Sequence, residues 1–215
     1  MQFETGHLYH IYNQGNNRQG IFFCRRNYLF FLEKIKTHIT PFADILAYCL
    51  MPNHFHLMVR VNHAHLASAN ASPGATWSRT RTANEDISLN KSIGIMLASY
   101  TRAINKQENR TGSLFRKETK AECLTYSDRI KPAWYDTHAG TMINIEDPAI
   151  QYPQVCFNYI HQNPVKARLA NDVTDWEFSS ATELAGENNI HLLNIDLIRQ
   201  LRLSVGNSLR DCAQA

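Results

Sequence analysis

The segment from Ala43 to Val61 constrains the fold most tightly. Ala43 to Leu50 is an apolar run of strand length, Met51-Pro52-Asn53 is a short turn, and His54 to Val61 is a second run of strand length. Two such runs across so short a connection predict an antiparallel hairpin. Side chains alternate along a strand, so His54 and His56 share one face while Phe55, Leu57, Val59 and Val61 share the other. Two imidazoles therefore sit side by side above a buried apolar face.

The flanking sequence extends this hairpin into a sheet. His7 to Tyr12 is aromatic and β-branched and runs into Asn13-Gln14-Gly15-Asn16-Asn17, a strand followed by a loop. Tyr28, Phe31, Leu32, Ile35 and Ile39 recur at helical spacing before Pro41, with Asn27 as the expected N-cap. A second helix is expected from Ile87 to about Lys106, on the spacing of Ile93, Met96, Leu97, Tyr100 and Ile104. Thr111-Gly112-Ser113 breaks it, and Leu114 to Leu124 reads as a further strand. The order β-α-β-β-α-β predicts an α+β fold, a ferredoxin-like antiparallel sheet with helices on one face.

Around this core lie less regular stretches. Residues 62–90 are rich in Ala, Ser, Thr, Asn, Gly and Pro, without a persistent period, and read as a long mobile loop or insertion. Residues 125–150 show no assignable pattern. A third helix is expected from Pro153 to Gln162, ended by the constraint that Pro164 places on Asn163. Ile195 to Leu203 reads as a short terminal helix. The expected organisation is one domain over residues 1–186 and a helical extension over 187–215.

Composition narrows the class without naming a function. The chain has 215 residues, 44% of them hydrophobic, enough to bury a sizeable core. Its apolar stretches fall short of the ~18 residues that span a membrane, and no export signal opens the sequence. Five scattered cysteines, Cys24, Cys49, Cys123, Cys156 and Cys212, with no C-x-x-C spacing, disfavour a disulfide framework and fit a reducing cytoplasm. A net charge of +3 neither demands nor forbids a nucleic-acid partner.

Two segments carry chemistry. An H-x-H pair on a strand can give two nitrogen ligands to one divalent cation, or can be two exposed histidines on a half-solvated strand. On the third helix, Tyr159 and Asn163 at i, i+4, with Gln162 between them, share one face. An amide oxygen there is a hard ligand that can complete a His-His-amide site for Mg²⁺ or Mn²⁺. A phenol is almost wholly protonated at neutral pH. As a nucleophile it needs a nearby cation or base, or a substrate already polarised by a metal. Tyr100, the rival phenol, has the register of a core residue.

Five motifs together resemble a known family. They are the opening Tyr9-His10-Ile11-Tyr12-Asn13-Gln14-Gly15-Asn16-Asn17-Arg18 with Ile21-Phe22; Met51-Pro52-Asn53-His54-Phe55-His56; the Arg110-Thr111-Gly112-Ser113-Leu114-Phe115 turn; Tyr159-Ile160-His161-Gln162-Asn163-Pro164-Val165-Lys166-Ala167; and Trp176 with Ser179-Ser180. In that order they resemble the REP-associated tyrosine transposases, within the wider HUH single-tyrosine transposases, over roughly residues 7–186. The resemblance implies a metal-dependent nuclease and strand-transferase acting on single-stranded, hairpin-forming DNA. It assigns His54 and His56 as metal ligands, Tyr159 as the nucleophile and Asn163 to the third ligand position, with Gln162, His161 or water as alternatives there. It leaves monomer and homodimer open, the monomer being favoured. Two other readings use the same residues: a binding protein that holds structured DNA or RNA without cleaving it, and a metal-dependent phosphodiesterase using water.

Charge adds a candidate DNA track. From Arg102 to Lys120 the chain carries Arg102, Lys106, Arg110, Arg116, Lys117 and Lys120 against Glu108 and Glu118, a local excess of +4, with Phe115 available for base stacking. A solvated charged surface accounts for the same residues. Arg18, beside the glycine-asparagine turn, is a further candidate for a hairpin backbone contact.

Overall fold

The computed structural model describes residues 2–66, 86–125, 134–137, 140–143, 148–188 and 190–205, with the backbone alone between 134 and 151. Strand β1 (Leu8–Gln14) leads through a 3-10 turn (Asn16–Arg18) to helix α1 (Arg25–His38), then β2 (Ala43–Met51) and β3 (His54–Val61). A two-strand ladder, β4 (His65–Leu66) with β5 (Ile87–Ser88), precedes α2 (Leu89–Gln107) and β6 (Lys120–Cys123). A second ladder, β7 (Trp134–Thr137) with β8 (Gly140–Ile143), leads to α3 (Pro148–Lys166), and α4 (Ser180–Leu184) and α5 (Ile195–Gln200) follow.

The main sheet has the order β2-β3-β1-β6, all neighbours antiparallel. The first and third strands lie at its centre, and the second and fourth flank them. That is the ferredoxin-like arrangement expected from the order of elements. On one face Tyr9, Ile11, Phe55, Leu57, Val59 and Val61 pack with Tyr28, Phe31, Leu32 and Ile35 of α1 and with Ile93, Met96, Tyr100 and Ile104 of α2. On the other face Leu8, Ala47, Cys49, Met51 and Met58 pack with Cys156, Phe157 and Ile160 of α3 and with Leu197 and Ile198 of α5. The third helix thus closes the face that carries the histidines.

Several boundaries differ from expectation for identifiable reasons. The N-cap of α1 is Cys24, and Asn27 sits one turn in, its Oδ1 accepting the Phe23 and Cys24 N–H groups at 3.0 and 3.2 Å. It serves the cap from inside the helix. Leu114 and Phe115 are both buried and do not alternate, so the strand expected from Leu114 is confined to Lys120–Cys123. Helix α3 begins at Pro148 and runs through both Pro153 and Pro164 to Lys166. Each internal proline lacks a donor N–H, but the buried stripe Cys156, Phe157, Ile160, His161 and Pro164 continues across the second one and holds the helix on the sheet. Of the low-complexity segment 62–90, residues 67–85 lie outside the described residues.

The turn after β1 needs glycine for a steric reason. A Cβ on Gly15 would run into the Gln19 carbonyl. That close approach folds the loop back against Asn53, whose carbonyl accepts the Gly15 N–H at 2.7 Å. The loop therefore abuts the turn that leads into His54.

The C-terminal half is pinned to β2 by polar groups. The Trp176 indole donates to the Leu50 carbonyl at 2.9 Å, and the Phe178 carbonyl accepts the Leu50 N–H at 2.9 Å. The buried Ser180 hydroxyl accepts the Tyr48 N–H at 2.9 Å, donates to the Tyr48 carbonyl at 3.1 Å and pairs with His161 Nε2 at 2.7 Å. It couples α3 to β2. Ser180→Ala strands three buried polar groups at roughly 1–3 kcal/mol each when wholly unmet, so thermal unfolding monitored by circular dichroism should shift downward by about 10 °C.

Candidate functional site: a tyrosine beside two histidines

Sheet register lays out the site across the four strands of the main sheet. On the face covered by α3, Lys120 of β6, Tyr12 of β1, His56 of β3 and Cys49 of β2 form one cross-strand row. Gln14, His54 and Met51 form the next row, and Glu122, His10, Met58 and Ala47 the row on the other side. Cross-strand partners present their side chains on the same face. The two histidines therefore stand among His10, Tyr12 and Gln14, neighbours supplied by β1.

Helix α3 brings the phenol to them. Its buried stripe, with Phe157 and Ile160 in the core, leaves Tyr159 on the edge of the contact, 41% exposed. The Tyr159 ring lies edge-on to His56, with centroids 5.3 Å apart, and to His10 at 6.0 Å. One turn further along, Asn163 Nδ2 donates to the Tyr159 carbonyl at 2.8 Å. Lys166, two turns along, places its ammonium 5.7 Å from the centre of the Tyr159 ring, within cation–π range. The cleft beside these groups, of about 360 Å³, is bordered by Tyr12, Gln14, His54, His56, Tyr159, Arg116, Glu118 and Lys120.

Each histidine is oriented by a neighbour. His54 Nδ1 lies 2.6 Å from Asn53 Oδ1 and so donates its hydrogen there. Burial lowers the His54 pKa, and a hydrogen bond with the Asn163 side chain opposes the shift. The Asn163 amide thus sits beside the His54 ring. His56 is buried, its Nδ1 2.9 Å from His10 Nε2, and its Nε2 is buried with no hydrogen-bond partner among the described residues. Burial first, then His10 and His54 nearby, holds its pKa well below the ordinary value. Burial likewise pushes His10 down to about 4. All three rings are thus neutral near pH 7, the form in which an imidazole can ligate a metal.

The residues present fit a divalent cation. The orphaned Nε2 of His56, His54 and the Asn163 oxygen are two imidazoles and an amide, with no carboxylate; among the described residues no three His, Cys, Asp or Glu cluster as a metal cage. So neutral a set could hold such a cation only with an anionic ligand from outside the chain. His161, an alternative third ligand, points into the core toward Ser180 at 2.7 Å.

The other candidate residues separate. Tyr100 is fully buried and its hydroxyl donates to the Ile21 carbonyl at 2.8 Å, which removes the rival phenol. Phe115 corrects the base-stacking assignment: it is 5% exposed and packs against Phe31, Phe55 and Tyr100 in the core. Phe115→Ala should cost about 3–5 kcal/mol of stability. Denaturant titration measures it. The basic residues do not form one track. Arg116 and Lys120 border the cleft, and Lys117 borders an adjoining groove under Asn90, Ile93 and Gly94. Arg102 and Lys106 are exposed on α2, the layer across the sheet from Tyr159. Arg110 ties the α2–β6 connection to the β1 loop, donating to Gln19 Oε1 at 2.7 Å. Arg18 is exposed in that loop with φ +60°, and its carbonyl accepts from Asn53 Nδ2 at 3.4 Å.

Sequence reasoning missed Asn53, Tyr12, Glu122 and Lys166 as parts of the site and left His10 unassigned. The available signal was parity. His10 and Tyr12 lie on the strand face opposite the apolar Tyr9 and Ile11. Tyr12 donates to Glu122 Oε1 at 2.6 Å, and burial, then this carboxylate, raises its pKa.

Among the described residues no helix is long and apolar enough to cross a membrane. No family model and no curated protein matches the chain. A solved structure of a REP-associated tyrosine transposase bound to a REP hairpin matches 88% of this chain and 87% of that one, at 15% identity and a TM-score of 0.51, so that the two share a fold.

Proposed function

We propose that the chain is a metal-assisted single-tyrosine strand-transferase that cleaves and rejoins single-stranded, hairpin-forming DNA. The observation that carries the reading is the half-exposed Tyr159 phenol, edge-on to His56 at 5.3 Å and one helical turn from the Asn163 amide. The hairpin-bound protein of the same fold supports the choice of substrate.

In this reading Arg116 and Lys120 draw the phosphate backbone into the cleft. His54, His56 and Asn163 hold a Mg²⁺ or Mn²⁺, which when bound supplies charge neutralisation at the phosphoryl oxygens worth several kcal/mol. Tyr159 Oη attacks phosphorus and the P–O3′ bond breaks. The phenol loses its proton, the departing 3′ oxygen gains one, and the phosphorus, still bonded to the 5′ oxygen of the downstream strand, is now bonded to Tyr159 Oη. One phosphodiester replaces another, so a 3′-hydroxyl can reverse the step without ATP. Lys166 beside the Tyr159 ring offsets negative charge developing there.

The test is incubation with end-labelled hairpin DNA and Mn²⁺, followed by a denaturing gel. A protein–DNA adduct that survives denaturation supports the proposal. Cleavage without an adduct supports a phosphodiesterase using water, and retardation without cleavage supports a binding protein.

A further inference from the structure

The buried contact between His10 and His56 determines what His56 can do. A neutral imidazole carries one N–H and one lone pair. Two imidazole nitrogens 2.9 Å apart, His10 Nε2 and His56 Nδ1, share a single hydrogen. If His10 donates it, the hydrogen of His56 must sit on Nε2, a buried N–H with no acceptor among the described residues. If His56 donates it, Nε2 keeps its lone pair, and the His10 hydrogen moves to Nδ1. Buried unmet N–H groups are rarer than unmet acceptors, so the second arrangement is favoured before any ligand binds.

We infer that His10 is a positioning residue: by accepting the Nδ1–H of His56 it fixes the tautomer that aims an Nε2 lone pair at the Tyr159 cleft. Asn53 Oδ1 does the same for His54 at 2.6 Å. The two ligand candidates thus have separate orienting acceptors, one from the turn before β3 and one from β1. Such partners, when removed, typically weaken a metal site by about 10–100-fold. The inference rests on the metal reading above only for its consequence; the tautomer itself is a property of the metal-free chain.

The experiment has two arms on the full-length protein. In the first, ¹⁵N-histidine NMR of the metal-free native chain reads which nitrogen of His56 is protonated. Nδ1–H is expected, and Nε2–H overturns the inference. In the second, Mn²⁺ affinity without DNA is measured by the EPR signal of the free ion for the native chain, His56→Ala, His10→Phe and His10→Gln. Phe cannot accept a hydrogen bond, whereas Gln can through its amide oxygen. The expected result is affinity about 10–100-fold weaker for His10→Phe, with His10→Gln within a few-fold of native. Native affinity in His10→Phe, or equal losses in Phe and Gln, overturns it. If the native chain takes up no Mn²⁺, the metal reading fails, and the NMR arm still decides for His10 alone.

Discussion

A Tyr159→Phe protein should bind hairpin DNA as the native chain does and form no covalent adduct with it. Phenylalanine keeps the ring that packs edge-on against His56 and under Lys166 and removes only the oxygen. Because covalent capture requires that atom, the expected loss is complete on a denaturing gel. The side chain is already part exposed, so folding should be unaffected, and unchanged retardation on a native gel would verify that. A second phenol supplies the control. Tyr12 faces the same cleft, but its hydroxyl is committed to Glu122 at 2.6 Å, and its raised pKa disfavours the phenolate. Tyr12→Phe should therefore leave the adduct intact. An adduct that survives in Tyr159→Phe and disappears in Tyr12→Phe would transfer the nucleophile to β1 and refute the assignment made here.

The second large effect is separation of cleavage from binding at the histidines. His54→Ala and His56→Ala each remove one of three candidate ligands. If charge neutralisation at the phosphate is worth about 4 kcal/mol, cleavage should fall by about 1,000-fold. Hairpin affinity should fall only a few-fold, because arginine and lysine contacts to phosphates elsewhere dominate it. Chelation with EDTA should reproduce the cleavage defect in the native chain, and added Mn²⁺ should rescue native protein but not the variants. Cleavage that persists at native rate in both alanine variants would remove the metal site from the mechanism. A parallel loss of affinity would mean the rings touch DNA rather than a cation.

Much of this site was legible before the chain was folded, and the reason is periodicity. Alternation along Phe55, Leu57, Val59 and Val61 forces His54 and His56 to a common face. A helix forces Tyr159 and Asn163 to a common edge. Both statements are local and hold once the element exists. The order of elements also restricts the sheet to a few topologies, and the observed order β2-β3-β1-β6 is one of them.

Local pattern fails where burial depends on partners distant in sequence. Phe115 has neighbours Arg116 and Lys117 that suggest a nucleic-acid surface, yet its ring fills a gap among Phe31, Phe55 and Tyr100. Arg102 and Lys106 belong to one charged stretch with Arg116 and Lys120, but α2 packs on the sheet face away from the cleft. Charge counted along a chain does not reveal that a sheet lies between its members.

The sequence by itself determined the pairs: two imidazoles on one strand face, a phenol and an amide on one helix edge, and the apolar stripes that require a core beneath each. Only the tertiary structure decided that the pairs meet. Burying the second sheet face under Cys156, Phe157 and Ile160 draws α3 across β2 and β3 and sets Tyr159 over His56. Antiparallel pairing of β1 with β3 sets His10 against His56. Both placements follow from burial of apolar surface on residues that do no chemistry.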